Sequence, residues 1–426
     1  MASDDSLNVT SAAGPGRGTR RMHVDRRELL KGGAFAAAGL SIGPPRASAQ
    51  PARPAGAHVQ RYATLGRTGM KISDISFGAS QLGAGEADIV RHAFDHGVNY
   101  FDTADSYTSG QSETAIAEAL RGKRDRVHLT SKTYTGPTDR RDSMMRALEG
   151  SLQRLRTDYV DVYFNHAVND VARLKNPEWH EFTARAKQQG KIRFVGMSGH
   201  AGRLIECLDY ALDTNGVDVV LVGYNFGQDP TFYQKFTRSY DFVARQPDLP
   251  RVLQKARTKG VGVVAMKTLM GARLNDMRPF ERGGATFAQA AFRWTLSNKN
   301  VDALIISMTS TGLVDEYLGA SGSQAAAEDL PLLRRYARMN GASHCRHGCG
   351  DCLSACSRGV EIGEVLRTRM YAVDYGDLAL ARREYAMLGD GAAACLSCSA
   401  KPCMGACPHG VPIDRFVAPT HRLLTS

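Results

Sequence analysis

Three short stretches carry side chains able to do acid–base work on an oxygen: Phe101-Asp102-Thr103-Ala104-Asp105-Ser106-Tyr107, Leu129-Thr130-Ser131-Lys132 and Tyr163-Phe164-Asn165-His166. Together they offer a carboxylate, a phenol, an ammonium and an imidazole. Reducing a carbonyl requires a proton for the developing alkoxide. A phenol with an ordinary pKa of about 10 is protonated at neutral pH and can donate. An ammonium beside it would lower that pKa and let the phenol exchange protons near neutrality. A carboxylate would hold the ammonium charged and oriented, and an imidazole N–H would steady negative charge on the substrate oxygen. Taken singly, each residue has a plainer explanation: Asp102 a turn cap, Lys132 a solvated strand end, His166 a satisfied core histidine. The chemistry needs all four in one place.

A second chemistry lies at the C-terminal end. Eight of the nine cysteines follow residue 344, as Cys345-x3-Cys349-x2-Cys352-x3-Cys356 and Cys395-x2-Cys398-x4-Cys403-x3-Cys407-Pro408. Close thiolates are soft ligands, and the C-x2-C spacing lets two sulfurs converge on one centre. The pattern resembles bacterial ferredoxins, C-x2-C-x2-C-x3-C-P, in which the fourth cysteine serves the other cluster. That resemblance implies two [4Fe–4S] clusters with crossed ligation. Cys345, Cys349 and Cys352 would pair with Cys407, and Cys395, Cys398 and Cys403 with Cys356. The x3 and x4 gaps depart from the ferredoxin spacing, and structural zinc and disulfides stay open as alternatives. A disulfide framework would more often pin a small secreted fold along its whole length. Cys207, far from the others, reads as a small buried hydrophobe.

Eight short apolar runs separated by helix-length segments would position the acid–base residues. The runs are Ile75–Ala79, Asn99–Asp102, Val127–Lys132, Val160–Asn165, Arg193–Met197, Val217–Gly223, Gly262–Lys267 and Ala303–Ser307. Helical spacing of apolar residues marks Ala87–His96, Glu113–Arg121, Arg141–Leu155 and Phe287–Ser297 between them. Buried-type strands alternating with helices predict an α/β fold, a (β/α)8 TIM barrel over residues 61–335 with a hairpin at Tyr62–Ser73 plugging its floor. In such a barrel the C-terminal strand ends carry the chemistry, and there the four residues fall. A doubly wound sheet would announce itself with G-x-G-x-x-G after the first strand, and Phe77-Gly78-Ala79-Ser80 is not that. Residues 336–426 are expected to form a helical dicluster 4Fe-4S ferredoxin-like domain, with a helical stretch from Ile362 to Leu388 joining the two cysteine groups.

Over about residues 61–320 the chain resembles the aldo-keto reductase family, whose catalytic tetrad is Asp, Tyr, Lys and His at such strand ends. The resemblance implies Asp102, Tyr107, Lys132 and His166 as that tetrad. It also implies hydride exchange between a nicotinamide nucleotide and a small carbonyl or alcohol. Gly190-Lys191-Ile192-Arg193-Phe194-Val195-Gly196-Met197-Ser198 is similar to the family's fifth strand. The resemblance places nucleotide contacts at Ser198, Asn225, Met266, Lys267 and Ser307. Gly199 stands where many relatives have Asn, Leu221 where a carboxamide-binding Gln is usual, and Met266 where an aromatic stacks. The Met266-Lys267 pair resembles the iron–sulfur branch of the family. Neither Arg nor Lys occurs from Ser307 to Leu318 to grip a 2′-phosphate, so NADP and NAD are both open.

The chain has 426 residues and a formal charge of +11. About +4 of that charge lies in residues 1–54, and the body has no dense basic run with interleaved aromatics, which argues against nucleic-acid binding. No stretch has the length and apolarity of a membrane span. Residues 1–49 read as a twin-arginine export signal: Asp25-Arg26-Arg27-Glu28-Leu29-Leu30-Lys31, a mild apolar stretch, then Ala47-Ser48-Ala49. Residues 50–60 read as a linker. A periplasmic destination follows as an expectation, with an electron-transfer protein or quinone-linked partner for the clusters. The competing reading is a nucleotide-binding or sensing barrel with structural metal staples and no turnover. Loss of a tetrad residue would favour it, and none is lost.

Overall fold

The computed structural model describes residues 57–200, 203–228, 248–269, 277–340, 345, 350–373 and 378–426. The expected export signal, most of the expected linker, Cys349 and residues 229–247 lie outside the described residues.

Ten strands are described. β1 (Tyr62–Thr64) and β2 (Lys71–Ser73) form an antiparallel pair, while β3 (Ile75–Gly78), β4 (Tyr100–Asp102), β5 (His128–Thr133), β6 (Val160–Asn165), β7 (Ile192–Gly199), β8 (Val219–Gly223), β9 (Gly262–Met266) and β10 (Ala303–Ser307) close into a barrel. Every pairing in the barrel is parallel, and β10 returns to β3. The short, Val- and Ile-rich strands are buried on both faces, which is why they read as apolar runs rather than as alternating patterns. Inside the barrel, Val162, Phe164, Val219, Leu221, Val264 and Ile305 pack with Leu65, Met70 and Ile72 of the hairpin. The hairpin thus closes one end, and the chemistry is left to the other.

The outer layer holds α1 (Ala87–Asp95), α2 (Gln111–Ala119), α3 (Arg141–Leu155), α4 (Val171–Leu174), α5 (Pro177–Gln188), α6 (Leu204–Asp213), α7 (Leu249–Thr258), α8 (Phe287–Leu296), α9 (Thr311–Leu318) and α10 (Asp329–Asn340). Their apolar faces bury against the outward side chains of the strands. A buried polar link fixes α2 and α3 to β5: Ser131 Oγ donates to Glu113 Oε1 at 2.6 Å and Arg154 Nε to Glu113 Oε2 at 2.6 Å. Glu113 is fully buried, so losing either donor would leave a carboxylate without its partner in the protein interior.

Four further helices follow: α11 (Ile362–Val373), α12 (Leu378–Ala386), α13 (Pro402–Ala406) and α14 (Ile413–Thr425). The helical stretch expected from Ile362 to Leu388 contains α11 and α12, with residues 374–377 outside the described residues. Their own core is small, built on Val365, Leu366, Tyr371, Tyr385, Ile413 and Val417.

Candidate active site

Asp102 ends β4, Lys132 is the penultimate residue of β5, and His166 directly follows β6. Parallel register sets Asp102 beside Thr130 and Lys132 beside Phe164. From there Lys132 Nζ donates to Asp102 Oδ2 at 2.6 Å, to the Thr103 carbonyl at 2.6 Å and to the Tyr107 hydroxyl at 3.4 Å. An ammonium has three hydrogens, and each has an acceptor. The second oxygen of Asp102 accepts from Thr130 Oγ1 at 2.8 Å. Both side chains of the pair are 1 % exposed. Burial pushes the Asp102 carboxyl up and the Lys132 ammonium down, and each is opposed by the other. With the hydrogen-bond set complete, the charged pair is the state this geometry favours.

Tyr107 opens a tight turn, Tyr107–Gly110, in which Thr108 and Ser109 take left-handed backbone angles (φ 45° and 57°). Such angles cost about 1 kcal/mol or more per non-glycine residue. Side-chain bonds hold them: Thr108 Oγ1 donates to the Leu82 carbonyl at 2.7 Å and accepts from Ser112 N at 3.0 Å. Gly110 ends the turn at φ +85°, where a Cβ would lie 2.8 Å from Arg154 Cδ. The strained turn aims the phenol back at Lys132, whose Nζ stands 4.7 Å above the Tyr107 ring.

The His166 ring meets the Tyr107 ring edge-on, centroids 5.6 Å apart. Burial, then the charges of Lys132, Arg383, Arg173 and Lys267, drive the imidazole pKa well below its usual range. His166 is neutral, and a neutral imidazole has one N–H to give. Its Nδ1 is buried without a hydrogen-bond partner, a position that a bound ligand can complete. Arg173 fixes the loop that carries it, donating to the carbonyls of Thr135, Ala167 and His166 and to Asn165 Oδ1, all at 2.6–2.8 Å.

The residues expected to meet a nucleotide line the ends of β7 to β10. Ser198 Oγ accepts from Ala167 N at 2.9 Å. Asn225 Nδ2 donates to the Lys267 carbonyl at 3.2 Å while its Oδ1 accepts from Gly227 N, so Asn225 ties the ends of β8 and β9 together. Lys267 sits at φ +59° just beyond a half-buried Met266, and Ser307 Oγ pairs with Ser80 Oγ at 2.7 Å. Thr268 Oγ1 is buried with no partner. A cation, hydroxyls and an unsatisfied donor at adjoining strand ends fit an anionic nucleotide. Gly199 is explained by space: a Cβ there would lie 2.8 Å from Leu204 Cδ1 and 3.0 Å from the Val168 carbonyl. An asparagine cannot occupy it without local movement.

All described cysteines are thiols rather than disulfides. Cys345, Cys352 and Cys407 line one small apolar pocket with Ile362, Leu366 and Ile413. Cys356, Cys395, Cys398 and Cys403 form a second neighbourhood: burial raises the thiols of Cys395 and Cys403, and the proximity of the others raises them further. Cys349 lies outside the described residues. Cys207 is buried in α6, its thiol pushed up to about 12 by burial, and belongs to neither group.

The helical region lies over the barrel mouth. Asn169 Nδ2 donates to Glu364 Oε2 at 3.1 Å, the Tyr371 hydroxyl bonds the His200 imidazole, and Lys267 Nζ stands 4.8 Å above the Tyr371 ring. Tyr134 meets both Met387 and Arg383. Every one of these barrel residues lies just past a C-terminal strand end. Sequence reasoning missed this covering. It also missed Thr103, Thr130 and Arg173, although Thr130, two residues before Lys132, shares its strand face and was legible by alternation.

Residues 74–283 match a family described as the aldo/keto reductase family. The chain is 26% identical over 295 residues to L-galactose dehydrogenase of Arabidopsis thaliana, covering 60% of this chain and 86% of that protein. It is 28% identical over 328 residues to a "Probable voltage-gated potassium channel subunit beta" of Arabidopsis thaliana, covering 64% and 93%. Among solved structures, an aldo/keto reductase from Klebsiella pneumoniae in complex with NADP and acetate is similar at 26% identity and a TM-score of 0.52, over 65% of this chain and 95% of that one.

Proposed function

On the match of residues 74–283 to the aldo/keto reductase family, we propose that this chain carries such a domain and is an oxidoreductase that interconverts a carbonyl and an alcohol with NADP or NAD. The observation that carries the reading is the ammonium of Lys132, shared between Asp102 and Tyr107 in a buried site beside a neutral His166. The bound nicotinamide would supply or take the hydride. Tyr107 gives its hydroxyl proton to the substrate oxygen, and Lys132 stabilises the phenolate left behind. His166 donates to the same oxygen, holding the carbonyl toward the phenol. Asp102 positions Lys132 without touching substrate. Oxidation of an alcohol runs the same proton path in reverse. Ser198, Met266, Lys267 and Ser307 would hold the nucleotide, with Asn225 fixing the loop that presents Lys267.

The relatives include a channel subunit as well as a dehydrogenase, and Gly199 and Leu221 alter the face expected to bind the nicotinamide. Those features favour a sensing barrel. Against that reading, the strained Tyr107 turn maintains a proton donor that sensing does not need.

The cysteine sets extend the proposal to two [4Fe–4S] clusters, held by Cys345, Cys349, Cys352 and Cys407 and by Cys395, Cys398, Cys403 and Cys356. A zinc ion with Zn–S bonds of about 2.3 Å needs its sulfurs within roughly 4 Å of one another. Among the described residues, the one set of three metal-capable side chains within 4.8 Å of each other is His92, His96 and Asp315. Iron and zinc analysis of the purified protein distinguishes the two metals. Bound clusters would supply one-electron transfer to or from an outside protein or quinone-linked carrier. Export by the twin-arginine pattern fits a protein folded around cofactors, and fractionation of cells expressing the full chain tests it.

Tyr107→Phe is the direct test. Turnover should fall on the order of 10³-fold while the nucleotide dissociation constant changes less than about 3-fold. Unchanged turnover removes the tetrad assignment.

A further inference from the structure

Four cations surround His166 closely enough to depress its imidazole: Lys132, Arg383, Arg173 and Lys267. Three are accounted for. Lys132 has Asp102, Arg173 has four acceptors, and Lys267 lies on the Tyr371 ring. In the helices above the mouth, buried Arg367 is likewise paired, with Glu364 at 2.7 Å and Glu384 at 2.9 Å. Arg383 is different. Its Nε and Nη2 are buried and have no hydrogen-bond partner, and among the described residues no carboxylate lies within 4.0 Å of it. The guanidinium carbon stands 5.7 Å from the Tyr134 ring centroid, two residues past Lys132. The residue as a whole is half-buried, but N–H groups shut away from water without an acceptor are costly unless a ligand engages them.

The idle atoms are informative in themselves. Nε and Nη2 form the edge of a guanidinium that matches the two oxygens of a carboxylate. The same edge is used elsewhere in this chain: Arg293 grips Asp329 through Nε, at 2.7 Å, and through Nη2. Arg383 presents it on the side of the mouth formed by the loops after β4 and β5. The nucleotide residues lie across the mouth, at the ends of β7, β9 and β10. Asp105 lies on the Arg383 side, where it feels the Arg383 charge. Its Oδ2 accepts from Thr133 Oγ1 at 2.6 Å, and its Oδ1 is buried without a partner. That oxygen can take a hydroxyl but would repel a second carboxylate.

We propose that Arg383 anchors a carboxylate of the substrate, with Asp105 Oδ1 accepting a substrate hydroxyl, so that the protein acts on hydroxylated acids such as sugar acids rather than on neutral carbonyls. The proposal rests on the oxidoreductase reading for the reaction but not for binding. A residue of the C-terminal helices thereby completes the barrel's substrate site.

The test uses the full-length, nucleotide- and iron-loaded protein and three matched pairs: D-glucuronate with D-glucose, D-galacturonate with D-galactose, and succinic semialdehyde with butyraldehyde. Binding is measured by titration calorimetry and turnover by nucleotide absorbance. At least one acid should bind about 30-fold more tightly than its neutral partner, the discrimination expected of a charge-assisted pair. Arg383→Gln should bring that ratio near unity, and Arg383→Lys, which keeps the charge but not the fork, should restore part of it. Iron content and the nucleotide dissociation constant report whether the variants fold. An acid preference untouched by Arg383→Gln, or no acid bound more tightly than its partner, overturns the proposal. Selective acid binding without turnover leaves it standing and sinks the oxidoreductase reading. Turnover of acid and neutral compounds at a ratio that Arg383→Gln does not move does the opposite.

Discussion

The barrel site and the cysteine domain are two ways of building a functional centre. At the barrel mouth the polypeptide supplies both halves of each key contact: Lys132 has three acceptors, and Asp102 has donors on both oxygens. In the C-terminal region the thiols are gathered around a small pocket and a second neighbourhood, but no three sulfurs close on one another within 4.8 Å among the described residues. The first centre is organised by a closed sheet, whose register leaves little freedom. The second is outlined by short helices with a small core, and on the proposal that its cysteines hold metal its organisation would depend on that metal.

The sharpest way to break this contrast is chelation, on the proposal that the cysteines hold metal. Anaerobic chelation should unfold much of the segment after residue 340, a loss visible in far-ultraviolet dichroism and proteolysis, because metal binding to such small domains amounts to on the order of 10 kcal/mol of folding free energy. The barrel should keep its melting transition. Loss of both together would show that the barrel leans on the cluster domain.

Next in size is the buried ion pair. Asp102→Asn leaves the Lys132 ammonium without its anion, and denaturant titration should show a destabilisation of about 3–5 kcal/mol. A change below about 1 kcal/mol would mean that the site relaxes, and that the register does not hold it as firmly as argued.

The smallest effect comes from pH. The folded-state pKa of His166 is depressed by burial and surrounding cations, so below about pH 6.5 the unfolded chain takes up a proton that the folded barrel refuses. The stability present above that pH should fall as pH drops through it, by up to about 1.4 kcal/mol per pH unit from this one group. His166→Gln should remove that part of the slope. Parallel slopes for the two proteins between pH 7 and 5.5 would contradict a neutral, enclosed imidazole.

The same contrast explains what could be read from sequence. The strands at Val160–Asn165 and Ala303–Ser307 and the helix at Arg141–Leu155 fall where periodicity puts them, because local burial patterns dictate such elements. Asp102, Lys132 and His166 were readable because a barrel brings successive strand ends together wherever they lie in the chain. Arg173, reaching back to hold the loop of His166, and Arg383, entering from a helix more than 200 residues further on, depend on tertiary docking that periodicity does not encode. Gly199 looked like a departure from the family, and only the neighbouring Leu204 and Val168 explain it.

Isotope transfer puts the whole account to its most direct test. The full-length protein is loaded with nicotinamide nucleotide deuterated at the transferable C4 position and mixed with the carbonyl panel, and the products are read by mass spectrometry. A site built as described should place deuterium on the carbinol carbon of at least one product, and Tyr107→Phe should slow that labelling on the order of a thousandfold. Tight nucleotide binding with no label in any product, or labelling equally fast in the variant, would mean that these four side chains do not carry out hydride chemistry.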